Sequence, residues 1–233
     1  MTWNPDQYHR FRNERLAPFE DLVRWLRVRP GIKAVDLGCG PGELTRRLAA
    51  LLPESDVVGI DSSAEMLPKE SGFELARIED FSGEYDLIFS HAALQWVDDH
   101  STLFAKLWSS LKPGGQLLVQ MPYNFDHASH LAAARVARSL GQNVRAFPML
   151  TVEDYARMLY DLGALDFEVI LKVYPHVLAD AGAIVEWTKG TLLTAYTVTE
   201  EFLAAYQAEV REACPGAPVF YGFKRLLMTA IKP

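Results

Sequence analysis

The stretch Ala34-Val35-Asp36-Leu37-Gly38-Cys39-Gly40-Pro41-Gly42 joins an apolar strand end to a glycine-rich turn, and a helical pattern follows it directly. Such a turn lets backbone approach a nucleotide-like ligand closely. A second acid closes the next apolar run, Val57-Val58-Gly59-Ile60-Asp61, ahead of Ser62 and Ser63. A carboxylate at that strand tip can accept from both hydroxyls of a ribose. The three glycines of the turn are spaced two apart, not in the Gly-x-Gly-x-x-Gly pattern of dinucleotide sites. Asp36, just before the first of them, would repel a pyrophosphate. It suits a ligand with an amine or sulfonium, which favours S-adenosyl-L-methionine as cofactor.

Each of these residues also has a plainer use. Asp36 is placed beneath the cofactor amine, or else bonds loop amides. Gly38 and Gly40 let the backbone pass near the methionine part of the cofactor. Asp61 is assigned to the ribose. Ser62 either supports adenosine or caps a helix. Met66 and Ile78 flank the adenine or fill core. Glu79 or Asp80 accepts from the adenine amino group or is a solvated turn acid. His91, at the end of an apolar strand, is placed beside cofactor and acceptor, with a structural histidine as the alternative. Gln95 and Trp96 shape the pocket, or Trp96 packs in the core. Cys39 reads as a small side chain in a tight turn rather than a nucleophile.

The elements that must hold these residues alternate. Strands are expected at 32–37, 56–60, 73–76, 85–90 and 116–120, with helices at 43–52 and 99–111 and a short one at 64–68. Lys112-Pro113-Gly114-Gly115 reads as a turn. Strands and helices alternating at this spacing imply a mostly parallel α/β sheet. Residues 1–30 combine Trp3, Tyr8, His9 and Phe11 with Arg10, Arg12 and Arg15, then a helix over 16–27. That arm is either a lid over a ligand or packing for the core. Later, helices are expected at 127–140, 152–162 (capped by Thr151), 181–191 and 200–213. Strand patterns cover 167–174 and 219–231, the last interrupted at Gly222. The helices between about 125 and 210 are expected to form a cap embedded within a single domain, 1–233.

With 233 residues and 49% hydrophobic composition, the chain can build one large core. A net charge of −7 gives no general attraction to nucleic acid or to an anionic membrane. Cys39 and Cys214 are the only cysteines, so no disulfide framework and no metal cluster are expected. The opening residues lack the basic and apolar regions of a secretion signal, and the cytoplasm is the expected location.

The motif Asp36 to Gly42 resembles the first motif of class I S-adenosylmethionine-dependent methyltransferases, and Leu111-Lys112-Pro113-Gly114-Gly115 resembles their late motif. The similarity extends to the trans-aconitate 2-methyltransferase family. It is carried by Trp3-Asn4-Pro5, Tyr8, Phe11, Arg15, Gly59 to Ser63, Met66-Leu67, Ala93 to Trp96, Val119 to Pro122, Ile184 to Trp187 and Phe223 to Arg225. Arg77 stands where that family commonly has an acid, and Thr194 where it often has an arginine. The resemblance implies a Rossmann-like sheet of seven strands, order 3-2-1-4-5-7-6, with a helical cap. It also implies transfer of a methyl group to a carboxylate of a small polycarboxylate. A monomeric or weakly associating protein is expected. Direct attack on the sulfonium methyl needs no catalytic base, because a carboxylate is ionised at neutral pH. The acceptor residues expected on that basis are Trp3, Tyr8, Arg12, Arg15, His91, Tyr123, Lys224 and Arg225. A phenol or another acid as acceptor, or cofactor binding without turnover, are the competing readings.

Overall fold

The structure, a computed structural model, describes residues 12–144, 148–190 and 192–233. Seven strands form one sheet in the order β3-β2-β1-β4-β5-β7-β6. The strands are β1 (Lys33–Leu37), β2 (Asp56–Asp61), β3 (Phe73–Leu75), β4 (Tyr85–His91), β5 (Leu111–Pro122), β6 (Leu165–Leu178) and β7 (Val219–Ile231). The helices are α1 (Arg12–Val23), α2 (Glu43–Leu51), α3 (His100–Ser109), α4 (Ala128–Ser139), α5 (Val152–Asp161), α6 (Ala181–Lys189) and α7 (Glu200–Ala213). Pairing from β3 to β5 is parallel, and β7 runs antiparallel to β5. This is the sheet order that the resemblance implied, in a mostly parallel sheet flanked by helices.

The central strands are apolar almost throughout because both faces are covered. Leu37, Ile88, Phe89, Leu117, Leu118, Val119, Leu226 and Met228 are all fully buried. Helices α3, α5, α6 and α7 each start at a side-chain cap. Asp99 accepts from the Thr102 amide, Thr151 from Asp154, Asp180 from Ala183 and Thr199 from Phe202.

Four elements differ from the sequence reading, each for a local reason. The first helix ends at Val23 rather than 27, because the Gln116 side chain takes the next backbone groups. Its Oε1 accepts from the Arg27 amide at 3.0 Å, and its Nε2 donates to the Trp25 carbonyl at 2.8 Å. No helix forms at 64–68. Asp61 captures the Ser63 amide, Met66 and Leu67 both donate to the Ser63 carbonyl, and Pro68 cannot extend the turn. The segment Lys112 to Gly115 lies inside β5 rather than before it. Tyr85 pairs with Leu111 and Leu87 with Gln116, so those four residues arch out of the ladder. Gly222 does not interrupt β7. A Cβ there would meet the Phe220 ring at 3.1 Å and Val173 at 3.4 Å, so this glycine marks a close approach.

The chain divides into two compact units. One holds 17–122, 148–172 and 225–233, and the other holds 12–16, 123–144, 173–190 and 192–224. The first contains β1 to β5 and α5. In the second, α7 packs on α4 and α6, with Ala132, Val136, Ile184, Val185, Phe202, Tyr206 and Val210 buried. The Tyr206 hydroxyl lies 3.0 Å from Thr188 Oγ1, which satisfies both groups in that interior.

Gln116 is a structural amide. Besides Trp25 and Arg27 it donates to Thr229 Oγ1 at 3.1 Å. Gln116→Leu should lower stability by about 1–3 kcal/mol, the cost of stranding these groups. Urea denaturation of the variant checks this.

Candidate functional site

The glycine turn sits at the carboxyl ends of the parallel strands, where open α/β sheets bind their ligands. β1 ends at Leu37, in register with Ile60 of β2. Gly38 and Cys39 both donate to the Ile60 carbonyl, at 2.8 and 2.9 Å. Asp61 then closes the turn from its side chain. Oδ2 accepts from the Gly40 amide at 2.9 Å, and Oδ1 from the Ser63 amide at 2.9 Å. Each carboxylate oxygen keeps lone-pair capacity for a further donor.

Two glycines of the turn are required for different reasons. Gly38 has φ +77°, and a Cβ there would lie 2.1 Å from the Ala93 Cβ of the loop after β4. Gly40 has φ +54°, and its Cβ would meet only the Met66 methyl, at 3.1 Å. Gly38 therefore lets two loops touch, while Gly40 keeps a bare backbone beside Met66. The Ile78 Cδ1 lies 3.7 Å from the would-be Cβ of Gly38. Met66 and Ile78 are both half-buried at the turn.

Asp36 is buried and accepts from Thr45 Oγ1 of α2 at 2.6 Å. Burial raises its carboxyl, the Thr45 hydrogen bond opposes this, and the neighbouring Asp61 adds to it, leaving a value of about 7. The group therefore changes charge near neutrality, and a cation beside it would favour the ionised form. Sequence reasoning missed Thr45, although its place in the first turns of an amphipathic helix made it a candidate partner. Cys39 is buried as well. Burial first, then Asp36 and Asp61, push its thiol up and keep it protonated, so it is no nucleophile.

Ser62 is exposed, and no helix follows it to cap. Glu79 and Asp80 are exposed and share Arg77, at 2.8 and 3.9 Å. The Arg77 hydrogen bond holds the Glu79 carboxyl below its usual value. His91 ends β4, in register with Gln120, with the Phe19 ring 6.4 Å away. Gln95 is buried, whereas Trp96 is exposed, so the core-packing alternative for Trp96 fails. The loop after β4 is pinned by His100. Its Nε2–H donates to the Leu94 carbonyl at 3.0 Å, since a carbonyl can only accept, and Nδ1 accepts from the Tyr155 hydroxyl. Burial lowers the basicity of His100 and keeps it neutral.

Trp3 and Tyr8 lie outside the described residues, as do the side chains of Arg12 and Arg15. Tyr123 and Lys224 come together, the Tyr123 amide donating to the Lys224 carbonyl at 2.9 Å. The Lys224 ammonium is paired with Asp126, so its charge is already matched. Arg225 is buried in the other unit, opposite Pro122 of β5. Among the described residues, no group of three or more His, Cys, Asp or Glu could hold a metal ion, and no helix is long and apolar enough to cross a membrane.

Residues 8–169 match the family described as methyltransferase domain. A trans-aconitate 2-methyltransferase of Deinococcus radiodurans is 43% identical, with 100% of this chain and 99% of that protein aligned. Another from an Azoarcus species is 36% identical over 99% of each. Phosphoethanolamine N-methyltransferase 2 of Haemonchus contortus, solved in complex with S-adenosyl-L-methionine, has a TM-score of 0.58 at 19% identity. The match covers 95% of this chain and 53% of that one, and at that identity it shows the fold alone.

The raised Asp36 carboxyl has a signed consequence for stability. The unfolded group loses its proton near 3.8 and the folded one near 7. Between those values the folded chain holds more protons, so the stability present below the lower value is lost as pH rises through the upper one. Asp36→Asn has no such loss. Its melting temperature relative to wild type should rise between about pH 5 and about pH 8. Thermal melts of both proteins across that window check it.

Proposed function

The chain belongs to the class I S-adenosyl-L-methionine-dependent methyltransferases, and we propose that it methylates a carboxylate of a small polycarboxylate, trans-aconitate being the first candidate. One observation carries the choice of acceptor: end-to-end similarity, 43% identical, to a protein named as a trans-aconitate 2-methyltransferase.

The residues at the glycine turn fit the cofactor. A bare Gly40 backbone beside Met66 leaves room for the methionine portion, which a Cβ would fill. Asp61, already oriented by two amides, has acceptor capacity for ribose hydroxyls. Asp36 supplies a carboxylate near neutrality for an amine. Met66 and Ile78 offer apolar walls for adenine, with Ser62, Glu79 and Asp80 around it. His91 stands at the end of β4, beside both ligands in this reading. When bound, S-adenosyl-L-methionine supplies a methyl group on a sulfonium. The acceptor carboxylate oxygen would take that methyl group, the carbon–sulfur bonding pair being left on sulfur, to give a monomethyl ester and S-adenosylhomocysteine. The acceptor is ionised at neutral pH, so no side chain has to remove a proton. The protein's task is to align oxygen, carbon and sulfur and to exclude water. Trp3, Tyr8, Arg12, Arg15, Tyr123 and Arg225 are the proposed acceptor residues, and residues from about 125 to 210 the proposed cap. Lys224 belongs with them as one half of its pair with Asp126.

Incubation with S-adenosyl-L-methionine and trans-aconitate, following ester mass and S-adenosylhomocysteine together, tests the reading. Equal yields of both products are expected, with a rate at saturating S-adenosyl-L-methionine that does not demand a base titrating near neutrality. Cofactor binding without ester would contradict the carboxylate assignment.

A further inference from the structure

Two glutamines on β5 stand four residues apart on the same face of the strand, with opposite surroundings. Gln116 makes three hydrogen bonds and ties chain segments together. Gln120 is completely buried, and neither its Oε1 nor its Nε2 has a hydrogen-bond partner. A buried amide without a partner opposes folding, and an apolar side chain of the same shape would avoid that cost. Such a group calls for a physical reason.

The position of Gln120 supplies one. It lies near the carboxyl end of β5, in register with His91 of β4 and opposite Leu227 of β7. Its backbone carbonyl accepts from the Ala92 amide at 2.8 Å. Ala92 has φ +58°, a left-handed conformation that costs energy for a residue with a Cβ. The strained residue is held from the other side by Gln95, whose Nε2 donates to the Ala92 carbonyl at 2.7 Å. The Gln95 Oε1 is likewise buried without a partner. The next residue, Ala93, touches Gly38 of the cofactor turn. Strain and unmet hydrogen-bonding capacity thus gather where the β4 loop meets the glycine turn.

We propose that Gln120 orients the acceptor, its Nε2 donating to the carboxylate oxygen that does not take the methyl group. This rests on the carboxylate reading given above. A neutral amide suits the task. It fixes the carboxylate without a positive charge that would lower the nucleophilicity of the attacking oxygen. It also separates Gln120 from Gln116, whose amide is spent on the fold.

The test uses Gln120→Met, of similar length and without hydrogen-bonding groups, and Gln120→Glu. Steady-state rates with trans-aconitate are measured beside S-adenosylhomocysteine affinity and melting temperature. For Gln120→Met, kcat/KM for trans-aconitate should fall by about 10- to 100-fold, the worth of a hydrogen bond to a charged group. Affinity for S-adenosylhomocysteine should stay unchanged and the melting temperature should not fall. Gln120→Glu should lose more activity at about pH 8, where its charge repels the acceptor, and recover part of it on acidification. Wild-type kcat/KM in Gln120→Met would overturn the proposal, as would a chain that no longer folds, since the amide would then be structural. If the wild type forms no ester, the carboxylate reading falls and the role of Gln120 with it. Wild-type turnover beside an unimpaired Gln120→Met removes the role of Gln120 alone.

Discussion

The site depends on one carboxylate. Asp61 binds the Gly40 amide with one oxygen and the Ser63 amide with the other, both at 2.9 Å. These two contacts join the turn after β1 to the tip of β2, and the shared Ile60 carbonyl locks the same junction through backbone. Charge-assisted bonds of this kind are stronger than neutral ones and fix direction as well as distance. With the turn held, Gly40 presents bare backbone next to Met66, and Gly38 can press against Ala93. The glycines supply room, and the acid decides where that room is.

The charges around the turn are arranged for a ligand more positive than a nucleotide phosphate. Burial raises the cost of ionising Asp36, the neighbouring Asp61 adds to it, and the Asp36 carboxyl is left near neutrality. A bound amine would relieve that cost, which links cofactor binding to the charge state of one buried group. The proposed carboxylate acceptor would need nothing comparable. It would arrive ionised, so orientation would be the main requirement, and polar groups held in place would serve it better than a base.

The glycine turn and the strand tips that hold it were legible because they are local. The run ending at Leu37, the glycine spacing and the acid at Asp61 each announce themselves within a few residues. What escaped the sequence is set by partners far along the chain. The first helix stops early because Gln116, 89 residues past Arg27, takes the Arg27 amide. The arch at Lys112 to Gly115 appears only once β4 fixes the register of β5. Thr45 became a partner of Asp36 when α2 packed against the sheet at β2. Gln120 sits within the apolar run Leu117 to Met121, so its polarity was visible while its isolation was not. Lys224 shows the reverse: a basic residue suggestive of anion binding turns out to face Asp126.

The most direct test is calorimetric titration of S-adenosylhomocysteine into wild type and Asp61→Ala at a temperature where both are folded. If Asp61 holds both the turn and the ribose, the variant should bind at least about tenfold more weakly, the loss of one or more hydrogen bonds to a charged acceptor. Equal affinity in the two proteins would contradict the claim that this carboxylate organises the cofactor site.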